Sequence, residues 1–458
     1  MKTLLRILLF TVAGVLSAAE PAWKAGVASE LITPEKPLWM AGYGGRKNPA
    51  EGTLHPLWIK ALAIEDASGH VGVVLSSDTL GIPKTIYEKT CAALKEKHGL
   101  ERSQIMLHAS HTHCGPVLRG ALLDIYPLDE EQLERINAYS EKLERKIVEV
   151  VGKALESREP ARIYAGQGVT RFAVNRRNNI EGDVPRLRRE GRLKGPVDHS
   201  VPVLVVRSME HELRALVFGY ACHNTTLSFY NWCGDYAGFA QIALEKHHPG
   251  AVAMFFAGCG ADQNPIPRRT VELAQRYGSM LASAVEETLL SDPRELKPEL
   301  RTAFEFASLK LGEPLTREEL EATAQSKNYR GRWAARLLRQ LDAGEPFIRE
   351  YDYPLQAWNL DGQKWITMGG EVVVDYSLRF KGEYGPQTWV AGYCNDVMAY
   401  IPSRRVLIED IPPRASSRWG YEGNTSMAVY GMPANRWADD VEDRIGFAVR
   451  RLMEKVSK

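Results

Sequence analysis

Residues 107–116 read "LHASHTHCGP", which sets His108, His111 and His113 within six positions, ahead of a Cys-Gly-Pro that cannot prolong a helix. An imidazole can ligate a metal or relay a proton near neutral pH, so these residues are core histidines, surface histidines or the first half of a metal site. In an extended segment His111 and His113 project to the same side and can reach one site. Zinc takes nitrogen, sulfur and carboxylate ligands, and a catalytic centre keeps one position open. A second apolar stretch, "LRALVFGYACH" (213–223), ends in His223, so two distant segments each finish in a histidine. Other polar residues fit structural roles: Asp78 as a strand-end cap, and His247 and His248 at the end of a helical stretch.

Such a site needs strands to deliver it. "LWIKALAIED" (57–66) and "HVGVVLSSD" (70–78) are short apolar runs split by Ser68-Gly69, the pattern of two neighbouring strands. A helical stretch follows at 83–98, with Gly99 as its stop, and then the strand "SQIMLHAS" (103–110). A long amphipathic helix is predicted over about 129–157. The middle of the chain repeats the logic: strands "VPVLVVRS" and "LRALVFGYACH", a helical "GFAQIALEKHH", and the buried strand "AVAMFFA" running into the loop "GCGADQNP". Beyond about residue 301 the pattern changes. Thr316 and Glu319 stand in capping-box register and open a basic helical excursion over about 314–343, after which Asp361-Gly362 marks a hairpin. The pattern predicts an α/β fold, a mixed sheet flanked by helices, in one domain from 20 to 458.

Composition narrows the function. A 458-residue chain with 44% hydrophobic and 25% charged residues reads as a globular protein, and a net charge of +1 argues against a nucleic-acid partner. Lys2 and Arg6 precede an apolar run at 7–16 and the small residues Ser17-Ala18-Ala19, the order of a secretory signal peptide cleaved after Ala19. No later segment is long and apolar enough to span a bilayer, so the expected location is secreted or periplasmic. The six cysteines are compatible with disulfides in an exported protein, but their spacing fixes no pairing.

With these residues in view, "HTHCGP" resembles the "HTHSGP" of the neutral, non-lysosomal ceramidases. The resemblance continues through "MAGYGGR" (40–46), "VNRR" (174–177), "GYACHNTT" (219–226), "GCGADQNP" (258–265), "GGE" (369–371), "GYCNDVMAYIPS" (392–403) and "YEG" (421–423), in family order. It implies a zinc ion held by His111, His223, Glu371 and Tyr400 with a water completing the shell. It also implies His113 as an acid/base or substrate contact, Arg176 as a substrate-side cation, and Tyr421 as a donor to the developing oxyanion. The implied activity is zinc-dependent hydrolysis of an amide, less readily an ester, in a small-molecule or lipid N-acyl substrate such as ceramide. Where the family has a serine in "GDVSPN", this chain reads "ADQNP": Asp262 aligns with the family aspartate, and Asn264 takes the serine position as a substrate-binding residue. An amide cannot be a nucleophile, which leaves the metal-activated water. The family's C-terminal immunoglobulin-like domain is expected to be missing. The alternative is a metal-free scaffold that binds lipid or carbohydrate outside the cell, a reading encouraged by ten tryptophans.

Overall fold

The computed structural model describes residues 22–122, 124–410 and 420–457; the leader expected at 1–19 lies outside them. The main sheet runs in the spatial order Val252–Ala257, Leu213–Tyr220, Ser200–Ser208, Glu159–Val169, Trp23–Leu31, Trp58–Glu65, Val71–Ser77 and Ile105–Ala109, with Arg294–Leu296 added beside Glu159–Val169. Its interior pairs are antiparallel, while the pair at each end is parallel. Each parallel pair is a strand–helix–strand crossover, one through Lys84–His98 and the other through Asp235–His247. Lys84–His98 stops where the sequence placed its stop, with Gly99 left-handed at φ 68° and its N–H donating to the Lys95 carbonyl. Glu130–Glu156 starts from Asp129, whose side chain accepts from Gln132 N–H.

The two crossovers lie at opposite ends of the strand order, yet the sheet coils until they meet. Lys60 Nζ donates to the Ala253 carbonyl at 2.8 Å, and Ser76 Oγ donates to the carbonyl of Phe255. The segment 392–395 then seals both edges: Gly392 N–H donates to Ala257, and Asn395 donates to and accepts from the backbone of Leu107. This arrangement covers the two end strands and sets the two histidine-bearing strand ends side by side.

Helices cover one face of the main sheet; Ile86, Leu94, Leu143, Ile147 and Val151 pack on its alternate apolar residues. A second sheet, Leu300–Lys310, Glu350–Leu360, Gln363–Met368 and Trp389–Ala391, covers the other. Trp358, Trp365 and Trp389 fill the space between the sheets with Leu62, Val74 and Met106. The C-terminal helix Val441–Ser457 packs outside the second sheet. The expected helical excursion is a pair, Arg317–Ala324 and Tyr329–Asp342, and Thr316 and Glu319 close the capping box. Eight of the nine tryptophans among the described residues are buried, so they build the core and give no support to a tryptophan-lined binding surface.

Candidate active site

The strand Ile105–Ala109 ends three residues short of Thr112, and the chain then turns sharply. His111 has φ 57°, so the segment is not the extended one expected from the sequence. The turn still brings both histidines inward: His113 Nε2 lies 3.2 Å from His111 Nε2. A left-handed histidine costs roughly 1–3 kcal/mol and persists only where its surroundings enforce it. Here the His111 Nδ1–H donates to the Leu80 carbonyl at 2.6 Å.

His223 arrives from the other crossover, three residues past Tyr220, with its backbone N–H on the Gln263 carbonyl and its Nδ1–H on the Gly260 carbonyl at 2.8 Å. A carbonyl can only accept, so His111 and His223 both carry their proton on Nδ1 and turn a bare Nε2 to the interior when neutral. Glu371 and Tyr400 come from the motifs "GGE" and "GYCNDVMAYIPS", which fold into two short parallel strands with these residues in register. Glu371 Oε2 lies 3.2 Å from His111 Nε2 and 3.0 Å from His223 Nε2, and Tyr400 Oη lies 3.2 Å from His223 Nε2. All five side chains are buried.

This donor set fits a metal ion. Three imidazole nitrogens converge within 4.8 Å of one another, and Glu371 Oε2 is buried without a hydrogen-bond donor. Burial raises the Glu371 carboxyl, and it is held well below the usual carboxylate range only by positive charge at the His111 and His223 nitrogens, which a cation in the site would supply in place of their protons. Burial pushes His223 down to about 4, and Arg176 deepens the shift, so that imidazole is neutral at pH 7. An ionised carboxylate facing bare nitrogen lone pairs calls for a cation between them. Zinc bonds of 2.0–2.1 Å in tetrahedral array set ligand atoms about 3.3 Å apart, close to the separations seen.

His113 is held differently. Its Nδ1 is buried without a partner, Tyr43 packs edge-on at 4.6 Å, and Arg46 Nη2 donates to its carbonyl at 2.7 Å. A Cβ on Gly42, at φ 100°, would stand 2.3 Å from His113 Nδ1, which explains the glycine in "MAGYG". Burial first, then His111 and His223, lower the His113 pKa well below its ordinary value.

Arg176 spans the other side. Its Nε donates to Glu422 at 2.8 Å and its Nη2 to Tyr400 Oη at 3.2 Å, while the guanidinium lies over the rings of Tyr400 and Tyr421. Tyr421 is half-buried, 5.1 Å ring to ring from Tyr400. Asp262 is fully engaged by protein: Oδ1 accepts from Val374 N–H, Oδ2 accepts from Asn175 Nδ2, and burial pushes its carboxyl up to about 6. Its backbone carbonyl holds Arg176 N–H, so residues 262–264 tie Arg176 to His223. Asn264 pairs with Val174 in a short ladder, buried, with Oδ1 unpartnered. Asp78 accepts from Trp58 N–H and His247 and His248 both face Glu286, the structural roles expected.

Three contributors were not picked out from the sequence. Tyr430 Oη donates to Glu371 Oε1, turning Oε2 towards the histidines. Glu422 lies between Arg176 and Arg177. Tyr393, at φ 57°, packs its ring 4.3 Å from His111. "YEG" contained Glu422, and a buried acid beside an arginine pair could have been sought there; for Tyr430 and Tyr393 the chain offers no spacing signal. A cavity of about 830 Å³ between Leu31, Pro34, Leu38, Tyr139 and Leu143 contains none of these residues.

A mixed α/β fold with a buried histidine cluster at its crossover strand ends defines a class of metal-competent scaffold. Residues 23–263 match the model of the neutral/alkaline non-lysosomal ceramidase N-terminal domain, and the chain belongs to that family. It is a hydrolase of the ceramidase type. Among solved structures, a ceramidase complexed with C2 superposes with a TM-score of 0.70 at 17% identity, over 96% of this chain and 75% of that one. The neutral ceramidase from Pseudomonas aeruginosa does so with a TM-score of 0.70 at 17% identity, over 95% and 75%. At that identity the likeness is one of fold. No curated protein matches by sequence. No helix among the described residues is long and apolar enough to cross a membrane.

Proposed function

We propose that the chain is an exported zinc-dependent amidohydrolase acting on an N-acyl lipid, ceramide or a relative of it, with the metal held by His111, His223, Glu371 and Tyr400. The observation that carries this reading is the approach of Glu371 Oε2 to two bare imidazole nitrogens at 3.0 and 3.2 Å. Zinc in such a set acidifies a water towards a pKa of about 7 and polarises a carbonyl. The rest falls to the chain's own residues. His113 is neutral as folded and can take a proton at an imidazole nitrogen and return it to the leaving amine. Tyr421 and Arg176, stacked together beside Tyr400, would act as donors to a substrate oxyanion. Asp262 positions Arg176 and His223 through its loop rather than through its own carboxylate oxygens, and Asn264 offers an unpaired amide oxygen to a polar group of the substrate.

The half-buried rim of Tyr43, Arg176, Tyr421 and Tyr430 suits an amphiphile, with aromatic faces for a chain and one cation for a polar head. Family membership and the Lys-apolar-small order of residues 1–19 support export with removal of that leader. We read 20–458 as one catalytic domain. The test combines metal content with turnover: purified chain should carry one equivalent of zinc and release amine from N-acyl lipids in preference to N-acyl amino acids or N-acetyl sugars. No zinc and no turnover on any of these would return the chain to the metal-free binding scaffold.

A further inference from the structure

The loops that bring His113 and His223 together touch again behind the site. Cys114 follows His113, and Cys233 ends the segment that runs from His223 to the helix Asp235–His247. Cys233 N–H donates to the Cys114 carbonyl at 3.3 Å, Thr112 Oγ1 donates to the Cys233 carbonyl at 2.8 Å, and His113 N–H donates to the Asn224 carbonyl at 3.4 Å. With standard bond lengths, the backbone contact keeps the two Cα atoms within about 7 Å, against the 4.4–6.8 Å that disulfides usually span. Both residues are fully buried with free thiols, and the two side chains are close enough to interact.

The other four cysteines face different partners. Cys394 Sγ meets His108 Nδ1 and the Gly392 carbonyl, Cys222 meets Tyr236, Cys91 meets Tyr87, and Cys259 lies beside Ser377. The family motif has serine where this chain has Cys114, a residue that cannot be oxidised in this way. Here the replacement comes with a second thiol against it.

We infer that Cys114 and Cys233 form a disulfide that clasps the "HTHCGP" loop to the loop after His223. Two thiols give up two protons and two electrons to form the S–S bond, and the disulfide of a thiol–disulfide oxidant, protein or glutathione, is reduced to two thiols. Because both sulfurs are buried in the finished fold, the exchange takes place on the folding chain. The inference rests on the export reading only for its source of oxidant. The bond would close a loop of roughly 120 residues, the regime in which cross-linking most restricts the unfolded chain.

The test is thiol counting by intact mass after denaturation in alkylating agent. The full chain is exported with its own leader in one arm, and made reduced in the cytosol and refolded in a glutathione redox buffer in the other. Four adducts without reductant and six with it are expected, with a cross-linked peptide joining Cys114 and Cys233. Reduction should lower Tm by up to about 5 °C. Cys114→Ser should give five adducts in either state and the Tm of the reduced protein; the count on the wild type stands even if this variant does not fold. Six adducts in the unreduced, glutathione-refolded arm, or a bond between any other pair, would overturn the inference. Six adducts in the exported arm alone would count against the export reading and leave the clasp standing, while zinc content in the same samples reports on the metal reading separately.

Discussion

Nε2 of His223 lies 3.0 Å from Oε2 of Glu371, and no group donates a hydrogen bond to that oxygen. The two residues come from different sheets, His223 from just past a crossover strand of the main sheet and Glu371 from the short parallel pair it forms with the Tyr400 strand. Their approach marks the place where a cation would be held, and the predictions follow from how each neighbour contributes to it.

His111→Ala and His223→Ala each remove one nitrogen from a site whose frame is built by separate strands. Each variant should lose nearly all bound zinc and its activity while keeping the wild-type circular dichroism and a cooperative melt. Metal analysis on the folded variants checks this, and full occupancy in both would refute the ligand assignment.

His113→Gln keeps a hydrogen-bonding side chain but cannot shuttle a proton. Zinc should stay near the wild-type level, while kcat should fall by about 10²–10⁴-fold. Parallel loss of metal would make His113 a ligand, an outcome its Nε2, 3.2 Å from that of His111, keeps open to measurement.

Tyr430→Phe removes the hydroxyl that turns Glu371 while leaving the ring. Groups that orient a ligand typically contribute 10–100-fold in metal affinity, so zinc Kd should rise by about that factor. Competition with a chelator measures it, and unchanged Kd would show that packing alone orients the carboxylate.

Asn264→Ser and Asn264→Ala test specificity. If the unpaired Oδ1 of Asn264 meets a polar group of the substrate, wild type should process ceramide poorly, because a site built around one partner discriminates against molecules that leave its groups unpaired. Serine should shift kcat/KM towards hydroxyl-bearing sphingoid amides, and alanine should lower it on the best substrate with zinc retained. Efficient ceramide hydrolysis indifferent to both changes would remove Asn264 from the specificity argument.

Asp396 gives a pH signature. Burial pushes its carboxyl up to about 7, and Tyr351 Oη donates to it at 2.6 Å. Unfolded, the group ionises near its ordinary value of 3.8, so between about pH 4 and 7 the folded chain keeps a proton the unfolded chain has released. The stability it contributes is therefore full below about pH 4 and lost as pH rises through 7. Asp396→Asn should match wild type below about pH 4 and become progressively the more stable of the two between about pH 4 and 7, by a few kcal/mol at most, with the gap constant above that. Urea melts across that range read the difference; a gap that does not change with pH would show that Asp396 is ionised throughout.

Local order was legible in the sequence wherever one segment decides its own fate. Apolar runs bounded by turn residues gave the strands, Gly99 and Asp129 marked helix ends, and Thr316 with Glu319 closed the box their spacing predicts, because these signals depend on backbone groups a few residues apart. The motifs around His111, His223, Glu371 and Tyr400 could likewise be found one by one. What the chain could not state is that they meet. That depends on the coiling of a sheet whose two parallel edges are far apart in strand order, on residues 392–395 sealing them, and on a left-handed turn at His111 where an extended segment was expected. Tyr430, Tyr393 and the contact between Cys114 and Cys233 were invisible for the same reason: each exists only after distant loops are packed together, and tertiary packing, not spacing along the chain, sets their distances.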